Sequence, residues 1–314
     1  MPNFIAFLGR VPYTFPVLAA FFWATNYVLG KIAVGTLPPF HLSAIRWLIA
    51  ALVLLPIVYQ DMRKHRRLLL KNWKTVVFLG ATGVAGFNSI LYLGMQYTTS
   101  INASLINSLQ PAVIAILSVL LLREQIRKIQ IVGFLISLFG FMVIFFRGKL
   151  EYLLSLTFNP GDMIIVATVF IWAIYSVMLI KRGQALPKKA LFGATVLVGN
   201  LIMIPVALIE EQFRPFPWHL VSRELALLVL YLGIFPTIAA FTCWNESLSR
   251  LGVVKSSNFL HLIAMFAALF AVALGETLSW HHVVGGLLII SGIVLSTNPK
   301  ILAFLENKRR SLSQ

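Results

Sequence analysis

Few side chains in this sequence of 314 residues could do chemistry away from water, and most of them are amides, hydroxyls and aromatic rings. Arg46 is the exception of most consequence. It stands in an apolar stretch, about six residues or roughly 9 Å inside its nearer end. A guanidinium at that depth could draw a carboxylate-bearing solute into a cationic outer vestibule. It could equally send its head back to the interface, or pair with Asp162 at the start of a later stretch. Lys31 lies near the same end of the preceding stretch. His261 is the one histidine well inside an apolar run, and an imidazole titrating near neutrality suits a proton relay. Relays of that kind usually contain a buried carboxylate. No Asp or Glu lies deep in any apolar run, so packing or solute contact is the favoured reading of His261.

Asn26, Asn88, Asn107, Ser108, Tyr175, Asn200, Thr242 and Asn258 also interrupt apolar runs. Polar groups at such depth are costly unless they bond to one another or line a cavity, so as a set they mark a cavity face. Asn107, Ser108 and Pro111 fall at i, i+1 and i+4 and share one side of a helix. Pro111 leaves the Asn107 carbonyl without its helical donor, available to a partner or a ligand. Trp23, Tyr27, Trp172, Tyr175 and Trp244 could stack on a solute, although Trp and Tyr also belong at membrane interfaces. Glu124 and Glu276 each fall shortly before a helix, where a carboxylate meets the positive end of the helix dipole; they read as anchoring or gating groups. No phosphate loop, HExxH, GxSxG or CxxC pattern occurs, and the adjacent pair His281-His282 is a weak metal signal. The lone Cys243 excludes a disulfide framework. No metal or cofactor is expected.

What must position these groups is a set of apolar stretches. With 59% hydrophobic and only 11% charged residues, the chain cannot clothe a globular surface in polar groups, and its solvent is lipid. Ten stretches are long enough to cross a bilayer, at about residues 13–32, 40–59, 76–95, 103–122, 129–146, 163–180, 191–209, 225–244, 256–274 and 281–297. They are too long, and lack the period of two, for barrel strands. The first is too long and too polar for a cleaved signal peptide. Of the 26 Lys and Arg, 20 fall in loops that a cytoplasmic N-terminus would place inside. Only Arg147, Lys149, Arg214 and Arg223 fall outside, and Lys31 and Arg46 lie within spans. That alternation fits ten spans with both termini cytoplasmic, and accounts for the net charge of +16 without nucleic acid.

The chain is written twice. At an offset of 152 residues, Glu124 matches Glu276, Gly133 matches Gly285 and Gly140 matches Gly292. Trp23-Ala24 recurs as Trp172-Ala173 at an offset of 149. Five spans per copy is an odd number, so the second copy starts on the opposite side of the membrane. The fold class expected is an all-α integral membrane protein of ten transmembrane helices, arranged as two inverted five-helix repeats. Secondary transporters are often built this way, with the solute site near mid-membrane between the halves. Glycines at positions 133, 140, 285, 286 and 292 read as close helix packing.

Trp23-Ala24-x-Asn26-Tyr27, Arg46, and the run Pro111…Glu124…Gly133…Gly140 resemble the EamA family of the drug/metabolite transporter superfamily. Gly161-Asp162…Trp172-Ala173-x-Tyr175 and Gly275-Glu276…Gly285…Gly292 extend the resemblance over nearly the whole chain. One departure is Ile263, which stands where the family pattern usually has a proline matching Pro111; that puts any kink shared by the fourth and ninth helices in doubt for the ninth. The resemblance implies a carrier of small metabolites, frequently an exporter of amino acids or related compounds, in a bacterial inner membrane. Two family units are expected at residues 13–146 and 160–297, joined by a linker at 147–159. Cytoplasmic segments are expected at 1–12 and 298–314. The partners expected are a small-molecule substrate and the lipid bilayer; proton coupling and pairing with a second copy stay open. A membrane-embedded enzyme acting on a lipid-linked substrate would need titratable groups converging at one depth, and a passive channel would conduct without saturation. The substrate-binding candidates are Asn26, Arg46, Asn88, Asn107, Ser108, Tyr175, Trp244, Asn258 and His261. The structural or gating candidates are Lys31, Pro111, Glu124, Asp162 and Glu276.

Overall fold

A computed structural model describes residues 13–98, 100–148, 151, 159–273 and 278–297 of the protein. Among them, ten helices are long and apolar enough to cross a membrane. They are α1 (Thr14–Thr36), α2 (Pro39–Lys64), α3 (Trp73–Tyr97), α4 (Leu105–Leu122), α5 (Lys128–Phe145), α6 (Pro160–Gly183), α7 (Lys188–Phe213), α8 (Arg223–Leu251), α9 (Val253–Phe270) and α10 (Trp280–Thr297). Helices are what an apolar solvent imposes, because every backbone N–H and C=O must find its partner within the segment. Exposed Leu52, Leu120, Leu135, Leu201, Leu208 and Leu287 give the bundle an apolar rim. One face carries the basic loops after α2, α4, α6 and α8, and is called the basic face below; the other is the far face. Glu276 lies outside the described residues.

The two halves interlock by reciprocal contacts. The first helix of each half packs against the third and fourth of the other: α1 on α8 and α9, and α6 on α3 and α4. The second helices, α2 and α7, pack on each other, as do the fifth, α5 and α10. Pro56 and Pro205 sit inside α2 and α7 at the same 149-residue offset as the Trp pair. Trp23 and Trp172, which match in sequence, meet edge to face with ring centroids 5.1 Å apart. Gly133 faces the carbonyl of Gly292, and Gly140 that of Gly285. The order runs one way along α5 and the other along α10, so these helices are antiparallel, as inverted copies require.

Several helices are irregular, and in α3, α8 and α9 side chains hold the irregular turns. In α8, Pro236 cannot donate to Leu232, and a π turn spans Phe235–Ala239. The freed Leu232 carbonyl accepts from the Thr237 hydroxyl at 2.8 Å and from Arg46 Nε at 3.4 Å. In α3, a π turn over Gly80–Gly86 is braced by Asn88, whose Nδ2 donates to the carbonyls of Gly83 and Val84. α9 is irregular too. Asn258–His261 forms a 3-10 turn although Ile263 replaces the proline, because His261 is held by α4 and α5 and Asn258 by α10.

The polar ends are tied down. Asp162, 1% exposed, forms no ion pair with Arg46 and serves its own helix end. It accepts from the Asn159 amide at 2.8 Å, Asn102 Nδ2 at 3.1 Å and the Thr98 hydroxyl. Asp162→Asn puts an amide donor among those donors and is expected to cost about 1.5–3 kcal/mol, read as a lowered Tm of the purified protein. Lys31 Nζ donates to the carbonyls of Met95 at 2.5 Å and Thr98 at 3.1 Å, capping α3 at its negative end. Its charge is therefore engaged by the end of α3. His41, at the far-face end of α2, is clamped by both carboxylates that end α7, Glu210 at 2.8 Å and Glu211 at 2.7 Å. Glu124 falls shortly before α5, as expected, but does not cap it. It precedes α5 by four residues, the cap being Arg127 with Gln130, and burial raises its carboxyl above the ordinary range.

Candidate functional site

Three of the expected cavity residues converge. Asn26 of α1, Arg46 of α2 and Asn88 of α3 line a central cavity of about 20 Å3, together with Trp23, Gln110 and Trp172. This is room for about one water. Arg46 is 1% exposed, so it does not snorkel. Its Nη1 donates to the Tyr92 hydroxyl and its Nη2 to Thr237 Oγ1 at 2.8 Å, and the guanidinium lies 5.1 Å from the centre of the Tyr92 ring. Tyr92 passes the chain on, donating to Asn26 Oδ1 at 2.8 Å. With Nε on Leu232, two of the five guanidinium N–H groups have no acceptor among the described residues. Among the described residues, no carboxylate pairs with this buried cation.

The same cavity is lined by a second donor without an acceptor. Trp172 is fully buried and its indole N–H has no partner among the described residues, as is true of Trp244 outside the lining. Trp23, Trp172 and Trp244 pack as a layer, with centroids 5.1–5.8 Å apart, and Trp23 Nε1 donates to the carbonyl of Pro236 at 3.2 Å. An indole N–H left unbonded in an apolar interior is expensive unless another state or a ligand supplies an acceptor. A cation without a counter-charge and an unmet donor around one cavity favour an anionic, acceptor-rich group.

Beyond the tryptophan layer a second cavity, of about 330 Å3, opens between α3, α6, α7 and α8. Gly183, Gln184, Lys188 and Ser249 in its wall place its mouth at the basic face. Tyr175 lines it and donates to Asn245 Oδ1 at 3.0 Å. Its ring lies 5.2 Å from that of Trp172.

The other expected residues lie apart from the central cavity. Asn107 accepts from Gln110 at 2.7 Å and from Thr168 at 3.2 Å, so it orients a lining residue. Pro111 follows a break at Ser108-Leu109, and the carbonyl put to use is that of Ser108, not Asn107. His261 Nε2–H donates to that Ser108 carbonyl at 3.2 Å, which leaves Nδ1 to accept from Ser137 at 2.8 Å. Phe134 and Phe141 flank its ring. The imidazole is a buried tie between α4, α5 and α9. Asn258 donates to Ser296 at 2.9 Å and Trp244 belongs to the tryptophan layer, so neither joins the lining.

Tyr92, Gln110 and Thr237 were not singled out in the sequence. Each interrupts an apolar run, and Gln110 and Thr237 adjoin prolines, a signal that could have found them.

The EamA-like transporter family model matches residues 11–146 and again 159–298. An uncharacterized transporter of Bacillus subtilis, YyaM, is 26% identical over 279 residues, covering 88% of this chain and 90% of its own. One from Archaeoglobus fulgidus is 27% identical over 285 residues, covering 89% and 95%. A second from Bacillus subtilis, YetK, is 29% identical, covering 88% and 83%. A crystal structure of a protein 24% identical superposes with a TM-score of 0.74 over 90% of this chain and 96% of its own, a likeness of fold. Two family units in one chain, on ten membrane-spanning helices with an internal repeat, identify a multi-pass membrane transporter: the chain belongs to the EamA-like transporter family.

Proposed function

We propose that this transporter is a secondary carrier that exports small organic solutes bearing an anionic group, amino acids and related carboxylates among them. It works across the cytoplasmic membrane by alternating access, with both termini cytoplasmic. The observation that carries the reading is Arg46, buried at a cavity, with free donors and no carboxylate partner among the described residues. A cation in that setting gains most from a solute that brings its own negative charge. The central cavity is too small for any metabolite, so binding requires the helices to part, which suits a carrier better than an open pore. The larger cavity opens on the basic face, the side that cytoplasmic loops occupy under the positive-inside rule, and there it would load solute for export.

The test has two stages. Cells overproducing the protein should enrich their medium in one or a few carboxylate-bearing metabolites relative to cells lacking it. Proteoliposomes loaded with that metabolite should then show saturable counterflow of its labelled form. Export of neutral or cationic compounds alone would overturn the anionic assignment, and flux proportional to concentration without saturation would overturn the carrier.

A further inference from the structure

Each half of the molecule carries one hydrogen bond between a tyrosine and an asparagine, joining its first helix to its third. In the first half Tyr92 of α3 donates to Asn26 of α1; in the second Tyr175 of α6 donates to Asn245 of α8. Asn26 and Tyr175 are equivalent at the 149-residue offset set by Trp23 and Trp172, so the two partners exchange roles between halves. Asn245 is one residue past Trp244, the equivalent of Tyr92 at the 152-residue offset. The repeats are inverted, so the two bonds lie on opposite sides of the tryptophan layer.

They differ in strength. The bond in the first half is buried and reinforced by the Arg46 guanidinium. The one in the second half is a single neutral bond, part-buried, with the open 330 Å3 cavity beside it. The Tyr175 ring lies directly over Gly83, in the π turn of α3, where any Cβ would overlap the ring. Four residues on, α6 loosens into a π turn at Leu179–Gly183. Tyr175 is thus a ring packed on Gly83 and Trp172, its hydroxyl tied by one hydrogen bond, between the cavity at the basic face and the Trp172 wall of the central cavity.

We infer that Tyr175, latched by Asn245, is the gate on the basic face of the solute path, and that Asn26 with Tyr92 is the gate on the far face. The inference rests on the alternating-access reading above, and adds to it the groups that open each side. Losing one neutral hydrogen bond shifts a two-state gate about fivefold, so the latch on the basic face opens first and more often.

The experiment uses the full chain in membrane vesicles, with Cys243→Ser removing the only cysteine and Leu91→Cys placing one in the central cavity wall. A membrane-impermeant sulfonatoethyl methanethiosulfonate is applied to one face at a time, in vesicles of each orientation. Tyr175→Phe and Asn245→Ala should each raise labelling from the basic face about fivefold without raising it from the far face. Gly83→Ala, which displaces the ring and leaves the latch groups in place, should do the same. Tyr92→Phe should raise labelling from the far face only. Unchanged labelling from the basic face in both Tyr175→Phe and Asn245→Ala, or an equal rise from both faces, would overturn the gates. Should Tyr92→Phe not accumulate, the two second-half variants still decide the gate on the basic face. Labelling is independent of the solute: face-specific labelling with no anion carried would sink the substrate reading alone. Anion transport with unchanged labelling would sink the gates alone.

Discussion

Arg46→Gln is expected to cut counterflow of an anionic substrate by about 10- to 100-fold, while the protein still reaches the membrane folded. A hydrogen bond to a charged group contributes about 1.5–3 kcal/mol, and each 1.4 kcal/mol is a factor of ten, so the loss of one paired cation at the solute accounts for that magnitude. Glutamine keeps an N–H for Thr237 or Tyr92 but brings no charge and cannot serve both. The structural cost should appear separately, as a Tm lowered by several degrees, because the Tyr92 hydroxyl and the Leu232 carbonyl each lose a donor. Arg46→Lys should fall between, since an ammonium supplies charge without the planar fork that reaches Tyr92 and Thr237 together. The deciding comparison is the carboxylate substrate against its neutral amide analogue. Arg46→Gln should narrow the preference for the carboxylate, and an unchanged ratio would show that Arg46 only holds helices together.

The second large effect is on assembly. Gly292→Val should yield little or no monodisperse protein, and Gly292→Ala should lose about 2–3 kcal/mol of stability. A Cβ at Gly292 would meet the Gly133 carbonyl and Ser137 Cβ at 2.9 Å, and the first of these is backbone that cannot rotate away. Gly133→Ala meets the mirror obstruction, with Ser296 Cβ at 2.8 Å and its amide at 2.9 Å. Two controls separate this from a general intolerance of alanine. Gly286, next to the packed Gly285, faces only Met265 at 3.6 Å, and Gly35 has nothing within 4 Å. Alanine at either should be neutral or slightly stabilising, because a helical glycine costs roughly 1 kcal/mol relative to alanine. Fluorescence-detected size exclusion over a temperature ramp ranks all four. Equal losses at Gly286 and Gly292 would refute the packing argument.

Much of this was legible in the residues. Ten apolar runs and an alternating pattern of basic loops are one-dimensional signals, and so is a five-span repeat marked by Trp23/Trp172 and Gly133/Gly285. Arg46 stood out because charge at membrane depth is rare. What it bonds to was not legible: Tyr92 is 46 positions away and Thr237 is 191, on helices whose rotation only packing decides. For the same reason polarity nominated Asn258 and His261 for the cavity, although both face neighbouring helices. The α9 turn carried no proline to announce it. The clamp of His41 by Glu210 and Glu211 joins two helix ends 169 residues apart, each ordinary when read alone. Tyr175 was visible as a polar aromatic, but its place in a different cavity from Arg46 depends on the tryptophan layer.

The crossed packing of α1 on α8 and α9, and of α6 on α3 and α4, bears on how the protein is made. When five helices have left the ribosome, α1 has neither of its main neighbours, and its Trp23 face, with Asn26, must wait in the lipid or against the insertion machinery. Completion of the second half closes both interfaces at once. A nascent chain halted after α5 should therefore be a target for membrane quality-control proteases. Two half-length chains synthesised together should find each other and survive, because each is the missing lining of the other.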